Sequence, residues 1–245
     1  LEGNGLWLLD WFRHQRRDDF YRHGSVCENY ADIEVPVYAV GGYADGYTNP
    51  IFRMMEHLPG PRKALVGPWA HKYPHFATPA PRIGFLQECL RWWDQHLKGI
   101  DTGIMDEPMM RLWMQEPAAP SPHAVDRPGR WLGLTGWPRS GQDLRVLHVT
   151  PSGMHEAPAN NAAPITLRSP ENAGSAAQTW CIYGTGPDGA LDQNHEAGRM
   201  SFFETAPLAE DMEILGFPLL KTRVASDVPQ ANLAAVLSMV APDGT

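Results

Sequence analysis

Cysteine is scarce in this sequence. Cys27, Cys89 and Cys181 stand far apart among 245 residues, and no Cys-x-x-Cys pair occurs. That pattern excludes a disulfide-stapled fold and implies free thiols in a reducing compartment, read here as the cytoplasm. No run approaches the roughly 18 apolar residues that a membrane span requires. No Asn-x-Ser/Thr sequon is present, so nothing points to glycosylated secretion. Positive charge is in deficit: 20 Lys and Arg face 28 Asp and Glu, for a net charge of −8. A phosphate backbone wants a basic face, so bulk nucleic-acid binding is not expected. No repeat of fixed period and no Gly-x-Ser-x-Gly occurs. No cofactor motif is legible either.

What is present describes a folded α/β protein with many turns. Nine Trp, eight Phe and seven Tyr supply a core, which excludes disorder over most of the chain. Gly and Pro number 23 each, about 19% together against the usual ~12%. The sequence begins at Leu1 without a Met and ends in a Pro242-Asp243-Gly244 turn after a strand-like run. Such a turn normally leads into another strand, so both ends are expected to be internal to a longer protein.

Residues 6–12 read as a short amphipathic helix, and Asp18 suits the N-cap of a second one through Arg22. From Val35 the rhythm changes. Val35 to Val40 is a short β-branched run closed by Gly41-Gly42. Ile51, Met54, Met55 and Leu58 then recur at helical spacing over Pro50 to Leu58. Lys63 to Val66 is a second short run, closed by Gly67-Pro68. Strand, helix, strand at this length predicts a βαβ unit with parallel strands. A helix is expected over Ile83 to Lys98, with Leu86, Cys89, Leu90, Trp93 and Leu97 as its apolar stripe and Gly99 at its C-terminus. Met109 to Met114 alternates like a strand, and residues 116–129, with four prolines, read as a linker. Beyond Arg130 the helical period vanishes. Short strands are expected at Arg130–Leu134, Leu144–Val149, Ile165–Leu167, Thr179–Tyr183, Met212–Leu215, Leu219–Ala225 and Leu233–Val240, the pattern of a β-sandwich.

Chemistry is expected where parallel strands end, because ligands of open α/β sheets bind beyond the carboxyl ends of the strands. Asp45 follows the first strand in Gly41-Gly42-Tyr43-Ala44-Asp45-Gly46, and His71 follows the second in Gly67-Pro68-Trp69-Ala70-His71. Neighbouring strands would bring the two side chains together. An acid that orients an imidazole is the acid–base half of a Ser-His-Asp hydrolase, in the order that α/β-hydrolases use. Each residue also has a plainer reading, as a turn cap or a solvated loop residue. His71 and His75 stand four apart but lack Glu at 72 and have Pro74 between them, so no metalloprotease helix is expected, and no metal site. Asp94 and His96 beside Trp92 and Trp93 read as helix packing, and the cluster from Arg13 to Asp19 as a solvated face. Gly184-Thr185-Gly186 has no following helix and is not read as a phosphate loop.

The string from Pro36 to Gly46, then Gly67-Pro-Trp-Ala-His71, then Trp92-Trp93-Asp94-Gln-His-Leu-Lys-Gly99, resembles the CocE/NonD hydrolase family, which includes cocaine esterases and X-Pro dipeptidyl-peptidases. Residues 207–216 are similar to the start of a strand pair in that family's C-terminal jelly roll. The resemblance implies the end of a helical cap over residues 1–30 and the C-terminal part of an α/β-hydrolase domain over 31–115. After the linker it implies an incomplete, galactose-binding-like jelly-roll β-sandwich over 130–245. It implies that Asp45 is the triad acid, His71 the base, and Tyr47 a substrate-binding aromatic, with Tyr43 and Trp69 in packing roles. None of the nine serines lies in the family's nucleophile context. The serine and oxyanion hole are therefore expected upstream of Leu1, and the chain alone is expected to be inert. The implied partner is a small-molecule or peptide acyl substrate, with a homo-oligomer open, and ester, β-lactam amide and X-Pro peptide are undistinguished. The competing expectations are a binding module that uses sandwich aromatics such as Trp131, Trp137, Trp180 and Tyr183, and a diverged structural member in which Asp45 and His71 never meet.

Overall fold

The computed structural model describes residues 5–138, 144–158, 163–177, 179–184 and 186–245. Ser140 and Thr185, which figured in the motif search, lie outside the described residues, as do Leu1, Glu2 and Gly3. The described residues divide into two compact units. The first takes those of Leu1–Glu116, Val125–Ser140 and Trp180–Tyr183, and the second those of Pro117–Ala124, Gly141–Thr179 and Gly184–Thr245.

In the first unit, helix α1 spans Trp7–Arg13 and α2 spans Asp19–Arg22. The Asp18 carboxylate accepts from the Phe20 N–H at 3.1 Å and caps α2 as expected. Strand β1, Val37–Gly42, runs parallel to β2, Arg62–Gly67, with Val37 opposite Arg62 and Gly42 opposite Gly67. Helix α3, Thr48–His57, makes the crossover between them. It buries Ile51, Met55 and, just past its end, Leu58, three of the four positions that helical spacing selects. Phe52 is buried in addition, its ring 4.9 Å from that of Trp137. Each such side chain removed from water contributes about 1.5–3 kcal/mol. Helix α4, Phe85–Lys98, leads to β3, Met110–Gln115, which lies parallel to β2. Gly99 ends α4 in the left-handed region at φ 69°.

The strand expected to open the sandwich instead completes this sheet. β4, Gly129–Leu134, pairs antiparallel with β3 through six residues, giving the order β1-β2-β3-β4. The chain between them returns to the first unit by Val125: the Ala80 N–H donates to the Val125 carbonyl at 2.8 Å, and that of Arg127 to the Ala80 carbonyl at 3.0 Å. Alternation shows that a segment is a strand but not which sheet it joins. The free edge of β3, with its unpaired N–H and C=O groups, decides that here.

Helix α4 is turned relative to expectation. Leu86, Leu90, Trp93 and Leu97 face solvent, at 62%, 56%, 53% and 74% exposure, whereas Trp92 is buried. Polar bonds fix this rotation. The Arg111 guanidinium on β3 donates to both carboxylate oxygens of Glu88 on α4 and to the Tyr38 hydroxyl on β1, and Tyr38 donates to Glu88 at 3.1 Å. Turning the apolar stripe inward would strand a half-buried carboxylate and guanidinium without partners, which costs more than several exposed leucines. Burial pushes the Glu88 carboxyl up, but the Arg111 bonds, the Tyr38 hydroxyl and Arg91 outweigh it and hold the group below its ordinary value. Burial likewise opposes the charge on Arg111, and Glu88 with Tyr38 overcomes it, so that pKa is raised.

A depressed folded pKa means stability that is complete above the ordinary glutamate value of 4.5 and lost as pH falls from there through the folded value. Urea midpoints measured against pH are expected to show wild type above Glu88→Gln near neutrality, with the gap closing below about pH 4.5. A gap that does not change with pH would contradict this.

Lys63 on β2 is buried, and its ammonium donates to the Glu107 and Pro108 carbonyls at 2.6 and 3.2 Å. Burial pulls its pKa down.

In the second unit, β5, His148–Thr150, and β6, Gly153–His155, form a tight antiparallel hairpin. A short 3-10 turn at Gln193–Glu196 carries the fully buried Glu196, whose carboxylate accepts from the N–H groups of Ala176 at 2.6 Å and Gly174 at 3.0 Å. Those two donors hold its carboxyl below the usual range. The segments expected as strands at Ile165–Leu167, Met212–Leu215, Leu219–Ala225 and Leu233–Val240 carry no strand ladder, nor does Thr179–Tyr183, which belongs largely to the first unit. An apolar, β-branched run becomes a strand only when a neighbour takes its backbone groups. Leu219 and Val224 stand 76% and 65% exposed without one.

Candidate active site

Asp45 is placed by the end of β1 and the start of α3. Past Gly42 the backbone turns tightly against the loop after β2. The Tyr43 N–H donates to the Gly67 carbonyl at 2.9 Å, and the Ala44 N–H donates to the Trp69 carbonyl at 3.1 Å. A Cβ on Gly42 would lie 1.9 Å from the Trp69 carbonyl oxygen, so only glycine permits this approach. The Asp45 N–H closes the turn on the Gly42 carbonyl, and the Thr48 hydroxyl donates to the Asp45 carbonyl at 3.0 Å. Of the two carboxylate oxygens, Oδ1 accepts from the Tyr47 N–H at 2.9 Å. That bond fixes the side chain and leaves Oδ2 aimed away from the turn.

His71 is placed by the end of β2. Trp69 is buried, with its indole N–H donating to the Pro81 carbonyl at 2.7 Å. The Ala70 N–H donates to the Thr78 carbonyl at 3.0 Å, and the His71 N–H to the Ile182 carbonyl at 2.7 Å. The Ile182 N–H in turn donates to the Ala44 carbonyl at 3.3 Å, so residues 180–183 bridge the Asp45 and His71 loops.

The two side chains meet: His71 Nδ1 lies 2.9 Å from Asp45 Oδ2. The carboxylate is 14% exposed and the imidazole 41%. A carboxylate oxygen only accepts, so the hydrogen of this bond sits on Nδ1, and in the neutral ring Nε2 holds the lone pair. Two aromatic rings pack against the imidazole and a third packs on one of them. Tyr47 lies 5.7 Å from the imidazole, Tyr183 packs edge-on to it at 5.2 Å, and Trp180 meets Tyr47 edge-on at 5.4 Å. The Cys181 thiol lies beside the pair: Asp45, His71 and Cys181 each offer a ligand atom within 4.8 Å of the others. The arrangement can take a proton at Nε2, stabilise the resulting imidazolium through Oδ2, and present an aromatic wall to whatever binds.

All three residues singled out in the sequence, Asp45, His71 and Tyr47, are thus brought together. Tyr43 is partly buried, and burial pushes its hydroxyl up to about 12. His75 stacks instead on Phe85, and His96 packs on Trp92. Sequence reasoning missed Trp180, Cys181 and Tyr183. They lie more than 100 positions after His71, in a segment read as one more sandwich strand, and no local signal ties them to the βαβ unit.

Comparison with known proteins gives the family. Residues 1–73 match the model of the X-Pro dipeptidyl-peptidase S15 family, and residues 102–245 match that of the X-Pro dipeptidyl-peptidase C-terminal non-catalytic domain. No curated protein matches the chain. Two crystal structures of a CocE/NonD family hydrolase from Staphylococcus aureus are similar. The first is 12% identical, covers 62% of this chain and 26% of that one, and gives a TM-score of 0.48. The second is 11% identical, covers 62% and 25%, and gives 0.44. The chain therefore spans about a quarter of the length of these structures. With one family model alone spanning well over half of its residues, the chain belongs to the X-Pro dipeptidyl-peptidase family.

Proposed function

We propose that Asp45 and His71 are the acid and general base of a serine hydrolase. The observation that carries this reading is the 2.9 Å bond between His71 Nδ1 and Asp45 Oδ2, formed by loops at the ends of adjacent parallel strands. The nucleophile is a serine outside this sequence, since none of the nine serines here stands in a Gly-x-Ser-x-Gly elbow. In the first half-reaction His71 Nε2 accepts the serine hydroxyl proton as Oγ bonds to the substrate carbonyl carbon. The imidazolium then protonates the leaving amine or alcohol as its bond to carbon breaks. Water repeats the sequence on the acyl-enzyme, with His71 again taking and returning the proton, and the acid product leaves. Throughout, Asp45 holds the ring and stabilises its charged form. Tyr47 forms part of the substrate-binding wall, and the second unit contributes to a jelly-roll sandwich. The S15 match over residues 1–73, which contain both Asp45 and His71, favours an X-Pro amide as the substrate and makes esters the runner-up. The protein acts in the cytoplasm, in keeping with three unpaired cysteines.

The experiment is turnover of an X-Pro anilide and of a chromogenic ester by the longer protein that carries this chain, before and after replacement of His71. Loss of both turnovers with fold retained is the expected result. Near-native turnover by the variant would overturn the reading.

A further inference from the structure

The Cys181 thiol beside His71 has no part in the acid–base reading, and it changes what the site can bind. We propose that Asp45, His71 and Cys181 form a site for a soft divalent cation of the Zn2+ class. The three ligand atoms come from three separate loops and lie within 4.8 Å of one another. Zinc bond lengths of about 2.0–2.3 Å to O, N and S place tetrahedral ligands about 3.3–3.8 Å apart. Asp45 Oδ2 and His71 Nδ1, at 2.9 Å, must open by a few tenths of an ångström to admit the ion, and the thiol must close by up to about 1 Å. The half-exposed His71 ring and the partly buried Cys181, both on loops, accommodate shifts of that size. The carboxylate already has support outside the site, since its second oxygen is held by the Tyr47 N–H. A thiolate with an imidazole selects against Mg2+ and Ca2+, which want oxygen ligands, and for zinc or cobalt. Three protein ligands leave a fourth position open to water. Tyr47 and His71 are 57% and 41% exposed, so the ion has a route in.

Binding at these atoms does not depend on the catalytic reading, because it needs only the three side chains. If that reading holds, the ion occupies the nitrogen that Asp45 otherwise orients and acts as a reversible brake on the base.

The test is Co2+ titration of the chain followed by absorption, since a cobalt–thiolate bond adds a near-ultraviolet charge-transfer band. The band is expected in wild type and in Cys27→Ser and Cys89→Ser, and to be lost in Cys181→Ser, with competing Zn2+ binding weakened about tenfold or more. Absence of the band in wild type, or its survival in Cys181→Ser, would overturn the proposal. A measurement on the unaltered chain guards against a variant that fails to fold. Zn2+ is expected to slow alkylation of Cys181, read by peptide mass, while leaving Cys27 unprotected. Equal protection at both, or none at Cys181, would overturn the proposal as well.

Discussion

Replacement of His71 by Ala is expected to lower hydrolytic turnover about 10^4- to 10^6-fold in the protein that supplies the serine. The loss falls on kcat, because the imidazole moves a proton in the transition state and contributes little to holding the ground-state substrate. Its size follows from what remains. Without the base the serine hydroxyl keeps its proton, and only binding and oxyanion stabilisation are left. Fold should survive the change: the His71 ring is 41% exposed, and the contact that anchors its loop to Ile182 is made by the backbone N–H. The measurement is steady-state kinetics on an X-Pro anilide, with circular dichroism to verify the fold. Retention of activity within a few-fold would show that Asp45 and His71 form only a structural pair.

The second large effect is expected from a single methyl group far less conspicuous than the imidazole. Gly42→Ala places a Cβ 1.9 Å from the Trp69 carbonyl oxygen and 2.6 Å from its carbonyl carbon. Both are backbone atoms, so no rotamer change relieves the clash. The loops must separate, which breaks the Ala44 N–H to Trp69 carbonyl bond that holds the Asp45 and His71 turns together. The expected cost is about 4 kcal/mol or more. For a chain of this size that corresponds to a fall in Tm of roughly 8–16 °C. Gly24→Ala is the control. A Cβ there meets nothing within 4 Å, and the change is expected to stay within about 0.5 kcal/mol. Thermal unfolding of the two variants beside wild type decides the matter. Similar Tm values for both would contradict the close approach on which the site is built.

Much of the site was legible in the sequence because it is local. β1, α3 and β2 follow one another within about 30 residues. The apolar runs, the helical spacing of Ile51, Met55 and Leu58, and the glycines at both strand ends each report on the same βαβ unit. Once that unit is accepted, parallel pairing puts the two following loops side by side, and Asp45 and His71 come with them. What was not legible depends on partners distant in sequence. The stripe on α4 was visible, but the ion pair from Glu88 to Arg111, 23 positions away, sets which face turns inward. The strand at Arg130–Leu134 was visible, but its sheet was chosen by the open edge of β3. Trp180, Cys181 and Tyr183 reach the site through backbone bonds from Ile182 to Ala44 and His71, and such bonds leave no mark on residue type.

The central claim is that Asp45 accepts a hydrogen bond from His71 Nδ1 and so keeps Nε2 ready to take a proton. Nitrogen-15 NMR of the histidine-labelled chain tests it most directly. The predicted result is that the neutral form of the His71 ring is the Nδ1–H tautomer, with a downfield Nδ1 proton that disappears in Asp45→Asn. An Nε2–H tautomer, or a spectrum unchanged by that substitution, would contradict the account.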